Sequence, residues 1–282
     1  MTAFLQYAFA GVATGCAFAL VATGFVTIYR VTQVVNFAQG AFAVIAGLVA
    51  FSLLRSGIPH PLAEVLAVVA GGLVGLLVGA VAIGRTGTPV LASLIITLGL
   101  GILAYAVEIL IWGDQPNSFD GVRGAWDLNG VVVQKQYLLI VGVTLAGFAG
   151  LVAFFGRTYL GKGMTACSSN PHAARLIGID VKRMGLLAFA LGGAMGGLAG
   201  VLLTPLRPIS FDSDVGIAVN GFAAAIFGGL VRPGAALAGG LVLGLVEAMV
   251  AGYYRPQYQS GIALALILVL LVYRAIRTPE VE

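Results

Sequence analysis

The chain has 282 residues, of which 60% are hydrophobic and only 9% charged, with a mean hydropathy of +1.03 and a formal net charge of +4. A soluble domain carries about 25% charged residues, so this composition excludes an ordinary water-soluble fold and makes lipid the expected solvent. The 15 basic residues are scattered between apolar runs instead of forming a stripe, which argues against nucleic acid as a partner.

A hydrocarbon core about 30 Å thick takes roughly 20 helical residues to cross. The first run, 3–29, is uncharged and too long for a signal-peptide core, so it is expected to stay as a span. The second, 31–54, carries Thr32, Gln33, Asn36 and Gln39 ahead of Gly40 and reads as a broken crossing. Runs 65–84 and 86–107 follow. The stretch 113–136 then sets Asp114, Asp120 and Asp127 against Arg123 and Lys135, as expected of a periplasmic loop.

After the run 137–156, the segment 157–183 holds Arg157, Lys162, Arg175, Lys182 and Arg183 against Asp180, which places it in the cytoplasm by the excess of basic residues. Run 184–206 returns across. Two shorter runs fill 215–252, parted at Arg232-Pro233-Gly234, and the first is expected to be interrupted at Asn220-Gly221. A last run covers 256–273. The pattern predicts an all-α, polytopic membrane protein: a single transmembrane domain over 1–282 with eight to nine helices, two of them discontinuous or short. Its N-terminus lies outside and its C-terminus in the cytoplasm.

Gly71, Gly75 and Gly79 recur at intervals of four, as do Gly192, Gly196 and Gly200, and Gly193 with Gly197. Each set lies along one helix face, where glycine lets two backbones approach. Cys16 lies in an apolar run and Cys167 in a basic loop, so no disulfide between them is expected.

The acids Glu64, Glu108 and Glu247 all fall toward the outer ends of spans, where solvation or pairing with an arginine is the plain reading and contact with an external delivery protein the sharper one. An ion-coupled pump needs an ionisable group near the midplane, so the energy source is expected elsewhere. Residues 156–162 fit the start of a phosphate-binding loop, but Gly163 stands where Ser or Thr must reach magnesium. Any ATP is therefore expected to be hydrolysed by another chain. His60 and His172 sit in loops without metal-ligand spacing, and Ser168-Ser169 lacks an orienting base, so neither a metal site nor enzyme chemistry is expected.

Within 157–183, Ser169 or Asn170 can cap a short helix that has Pro171 in its first turn and Gly178 at its end. Ala174, Leu176 and Ile177 are apolar residues on that helix and need a surface to pack against, either the membrane or another protein.

Three motifs in this order carry a resemblance. Asn36-Phe37-Ala38-Gln39-Gly40 resembles the Asn-Phe-Ala-His-Gly motif of the branched-chain amino acid permease family of ABC transporters. Asn170, Pro171, Ala173, Ala174, Arg175, Leu176, Gly178 and Ile179, followed by Ala188-Phe189 and the glycine-rich 192–200, resemble its cytoplasmic coupling segment. Asn220-Gly221-Phe222 with 225–230 and Pro233-Gly234 resembles its late glycine-rich element.

The resemblance implies a permease subunit of a bacterial inner-membrane importer, working by alternating access. Its implied partners are two cytoplasmic ATPase subunits, a second permease chain (a paralogue rather than an identical copy) and a periplasmic solute-binding protein. No cofactor belongs to this chain; ATP and magnesium sit on the partners. Asn36, Phe37, Gln39, Asn220 and Phe222 are then the candidates for the translocation pathway. Gln39 stands where histidine is common and Ala41 where an acid is frequent. The solute is left open among branched-chain amino acids, urea or short amides, and small carboxylates, and so is a passive channel.

Overall fold

The computed structural model describes residues 2–84, 89–128, 130–254 and 259–277. Among them the chain forms eleven helices and one β-hairpin. In order these are α1 (Thr2–Thr32), α2 (Gln39–Arg55), α3 (His60–Ala82), α4 (Val90–Trp112), β1 (Ala125–Leu128), β2 (Val131–Gln134), α5 (Lys135–Arg157), α6 (Tyr159–Ser169), α7 (Pro171–Leu176), α8 (Val181–Leu203), α9 (Ser213–Phe227), α10 (Pro233–Tyr253) and α11 (Gln259–Arg277). Six of the described helices, α1, α3, α4, α5, α8 and α10, are long and apolar enough to cross a bilayer.

Burial sorts these helices into inner and outer positions. The apolar window of α1 is 83% buried and that of α8 is 61% buried, whereas α4 and α5 each bury 17%. The first pair is therefore enclosed by protein, and the second presents its Leu, Ile and Val side chains outward, as lipid-facing helices do. Lipid tails are as apolar as leucine, so helices associate in a membrane through close packing and hydrogen bonds rather than through exclusion of water.

Glycine supplies that packing. α10 runs against α1 so closely that a methyl added at Gly240 would sit 2.7 Å from Gly15 O and Ala19 N. The α3–α8 seam is equally tight: a methyl at Gly193 would run into the Gly71 carbonyl and lie 2.9 Å from Gly75 Cα. The four-residue glycine spacing thus serves contacts within one chain.

α5 joins two opposite ends of the bundle. At one end lies the β-hairpin, with Leu128 paired to Val131. Gly130 takes φ +86°, and its N–H donates to Asp127 Oδ1 at 2.7 Å. The preceding loop is fastened to the α8–α9 connection by a reciprocal backbone pair, Asn117 with Ile209, at 2.8 Å each way. At the other end lie α6 and α7.

Three expectations need correction. The acidic loop contains a hairpin that the apolar pattern did not signal. The helix of the late run is not interrupted at Asn220-Gly221: α9 passes through both residues, because Gly221 serves close packing and a methyl there would lie 2.8 Å from Val21 Cβ. Its break comes later, where Gly229 and Leu230 take φ +69° and +60°. Glu108 and Glu247 are 0% and 2% exposed rather than solvated, and neither is paired with an arginine among the described residues. Only Glu64 is part-exposed, 3.4 Å from His60 Nδ1. The starts of the runs 86–107 and 256–273 and the C-terminal end fall outside the described residues.

Replacing Gly193 by leucine should cost about 1–3 kcal/mol through overpacking. Thermal unfolding in nanodiscs checks this against Gly142→Leu, whose added Cβ meets nothing within 4 Å and should leave the midpoint near wild type.

Candidate functional site

Between α1 and α2 six residues leave the helical path. Thr32, the last residue of α1, donates its hydroxyl to Ile28 O at 2.8 Å and accepts the Val34 N–H at 3.2 Å. Gln33 then turns the chain through φ +58°. Asn36 Oδ1 accepts the Ala38 N–H at 3.1 Å, and Asn36 Nδ2 donates to Gln39 Oε1 at 3.3 Å. Gln39 Nε2 in turn donates to the Gly192 carbonyl on α8 at 2.9 Å. The backbone of Phe37 is held from outside the segment, its N–H donating to Thr97 Oγ1 on α4 at 3.3 Å. Gly24 leaves room for this knot, since a Cβ there would collide with Gln39 Nε2.

Two cavities flank α9. One, about 380 Å³, is bordered by Phe37, Leu98, Tyr105, Asp214, Val215 and Val219. The other, about 510 Å³, is bordered by Phe18, Leu203, Arg207, Ile209, Asn220 and Glu247 among others. Phe222 is half-buried and packs on Phe25, with ring centroids 5.5 Å apart.

The five pathway candidates therefore divide. Asn36 and Gln39 are buried and hold the unwound segment together, with their polar atoms turned to protein. Phe37, 47% exposed, and Asn220 face separate cavities on the two sides of α9. Phe222 belongs to the packing between α1 and α9. Glu247 and Arg207 share the Asn220 cavity, a juxtaposition the sequence could not reveal because the three residues lie on different elements.

At the far end of α5, Asn170 caps α7: its Oδ1 accepts the N–H groups of His172 and Ala173, each at 3.0 Å, with Pro171 at the first helical position. Gly178, at φ +85°, closes the helix. Its N–H donates to Arg175 O and the Ile179 N–H to Ala174 O, both at 3.0 Å. Ala174 is buried against Met164, Cys167 and Met184, which ties α7 to α6 and α8. Burial pushes the Cys167 thiol above its ordinary pKa. Pro171, Ala173 and Arg175 are exposed, and Leu176 and Ile177 stand 77% and 75% exposed at the tip.

A bundle of glycine-packed apolar helices, one of them preceded by a braced unwound segment, defines the chain as a multi-pass α-helical membrane protein. Residues 7–271 match the family described as branched-chain amino acid transport system / permease component, and the chain belongs to that family. It is 31% identical over 300 residues to the high-affinity branched-chain amino acid transport system permease protein LivH of Escherichia coli K12, covering 99% of this chain and 97% of that one. BraD of Pseudomonas aeruginosa, a permease protein of the same description, is 28% identical over 99% of this chain and 97% of its own length. Among solved structures, PsaBC from Streptococcus pneumoniae in complex with Fab shares the fold, with a TM-score of 0.54 and 14% identity over 95% of this chain and 91% of that one.

Gln39→Leu removes the bond to Gly192 O and strands the Asn36 amide in a buried site, at about 1–3 kcal/mol. The expected outcome is a lowered unfolding midpoint together with faster labelling of a cysteine placed at Val34.

Proposed function

We propose that this chain is the membrane-spanning subunit of an ATP-binding-cassette importer carrying branched-chain amino acids or related small polar solutes inward by alternating access. The observation that carries this reading is the α7 tip. Two adjacent large apolar side chains, Leu176 and Ile177, stand in the open on a short helix that is capped at both ends and anchored through Ala174. Exposed apolar surface on a rigid element is what a docking contact needs. A membrane protein whose partner hydrolyses ATP must offer such a contact on the ATPase side.

In this reading the 157–183 end faces the cytoplasm and meets one of two ATPase subunits. The 113–136 end, with its hairpin, faces the periplasm and receives solute from a binding protein. The N-terminus is outside and the C-terminus inside, in a bacterial inner membrane, and residues 1–282 form a single transmembrane domain. A second permease chain, a paralogue rather than a copy, completes the pathway. Closure of the ATPases moves α7, and with it α6 and α8, as a rigid body. The braced segment 33–38 adjoins α8 through Gln39, so α8 is the element by which movement at α7 reaches the pathway candidates.

The relatives are named for branched-chain amino acids, which favours those solutes over urea, short amides or small carboxylates. The binding protein sets most of the selectivity, and this chain passes the solute on.

Leu176→Asp combined with Ile177→Asp should leave the chain inserted and folded but lower ATP-dependent leucine uptake at least tenfold and end co-purification with the ATPase. Unchanged uptake in that variant would show that α7 is not the coupling element.

A further inference from the structure

The larger cavity beside α9 joins groups that the packing of the bundle does not explain. Glu247, on α10, is 2% exposed, and its Oε1 has no hydrogen-bond partner among the described residues. Burying a carboxylate is costly unless an opposite charge or hydrogen-bond donors stand near it, and Arg207 and Asn220 are the nearby groups that act on Glu247 while Oε1 stays free. Arg207, from the α8–α9 connection, borders the same 510 Å³ space and is exposed at its mouth. The two are not joined in an ion pair among the described residues. Asn220 adds an amide from α9, able both to donate and to accept. Asp212, also at the border, is already engaged by the Ser210 hydroxyl.

Apart from Ser213, the remaining side chains of the wall are apolar, among them Phe18 from α1, Leu203 from α8 and Leu264 from α11. A cavity of this size lies within the usual range for small-molecule sites, about 300–1,000 Å³. It therefore offers a buried carboxylate at Glu247, a second carboxylate at Asp212 that the Ser210 hydroxyl engages, one positive group held apart from Glu247, an amide and an aliphatic wall. The smaller cavity, by contrast, has one carboxylate, Asp214, and no cation on its border.

We propose that this cavity is a binding site for a zwitterionic aliphatic α-amino acid, with Glu247 taking the ammonium, Arg207 the carboxylate, and Phe18, Leu203 and Leu264 the side chain. Asn220 bridges the two polar ends. The guanidinium at the mouth meets the solute first, since its planar donors match a carboxylate. The buried Glu247 draws the ammonium inward, which orients the solute before it moves on. This site rests on the reading of the chain as an importer permease and names the solute class that the permease itself recognises.

The test uses the full-length chain in lipid nanodiscs and equilibrium binding of tritiated L-leucine, with two competitors. 4-Methylpentanoate is leucine without its ammonium, and 3-methylbutylamine is leucine without its carboxylate. Wild type should bind leucine saturably, with each competitor at least tenfold weaker than leucine. Glu247→Gln should weaken leucine at least tenfold while leaving 4-methylpentanoate within twofold. Arg207→Gln should weaken leucine similarly while leaving 3-methylbutylamine within twofold. Competition on wild type needs no variant, so misfolding of either substitution does not remove the test.

Absence of saturable leucine binding to wild type, equal competition by all three compounds, or wild-type leucine affinity in both variants would overturn the site. ATP-dependent uptake by cells carrying the wild-type transporter is measured in parallel. Uptake without the charge rule overturns the site and keeps the permease reading; the charge rule without uptake keeps the site and removes that reading.

Discussion

Lipid cannot satisfy the N–H and C=O groups that a helix break sets free, and in the segment 33–38 side chains replace part of the missing ladder. Asn36 accepts one backbone N–H and hands its own amide to Gln39, and Gln39 ties the group to the Gly192 carbonyl of α8. Thr97 reaches in from α4 to take the Phe37 N–H. The second break, after α9, is closed from within: the Gly229 N–H donates to Ile226 O at 2.8 Å and the Leu230 N–H to Ala225 O at 2.9 Å. The first break is thus braced largely by side chains and the second by turn geometry.

The arrangement depends on glycine to bring these partners within reach. Gly24 gives Gln39 its space, and at Gly40, where α2 begins, a Cβ would collide with the Asp214 carbonyl. With α1 and α8 enclosed and α4 and α5 turned to lipid, the bundle has a rigid interior against which α9 lines two cavities. That rigidity suits a permease read as moving in blocks, with α7 and α8 at one end and the Arg207–Glu247 cavity reached from the other.

Much of this was readable from residues with local consequences. The apolar runs announced the long helices, the four-residue glycine spacing announced close-packed faces on α3 and α8 though not that the two meet, and Asn170, Pro171 and Gly178 announced the ends of α7. Capping and helix-face geometry act over a few residues, which is why a single sequence carries them. The hairpin was also written locally, since Asn129-Gly130 is a strong two-residue turn signal, but the weight of acidic residues made the stretch read as plain loop. Asn220-Gly221 misled for the opposite reason: glycine as a helix breaker and glycine as a packing surface look alike until Val21 is placed against it. The burial of Glu108 and the convergence of Glu247, Arg207 and Asn220 are tertiary facts, set by which helices meet, and no spacing in the chain encodes them.

The most direct measurement is solute flux through proteoliposomes containing this chain, its partner permease and the ATPase subunits, with the binding protein and labelled leucine on the hairpin side. An importer permease gives leucine accumulation that requires ATP on the α7 side and stops when ATP is replaced by a non-hydrolysable analogue. Equal leucine flux from this chain alone, without ATPase or nucleotide, would contradict it and establish a passive pore.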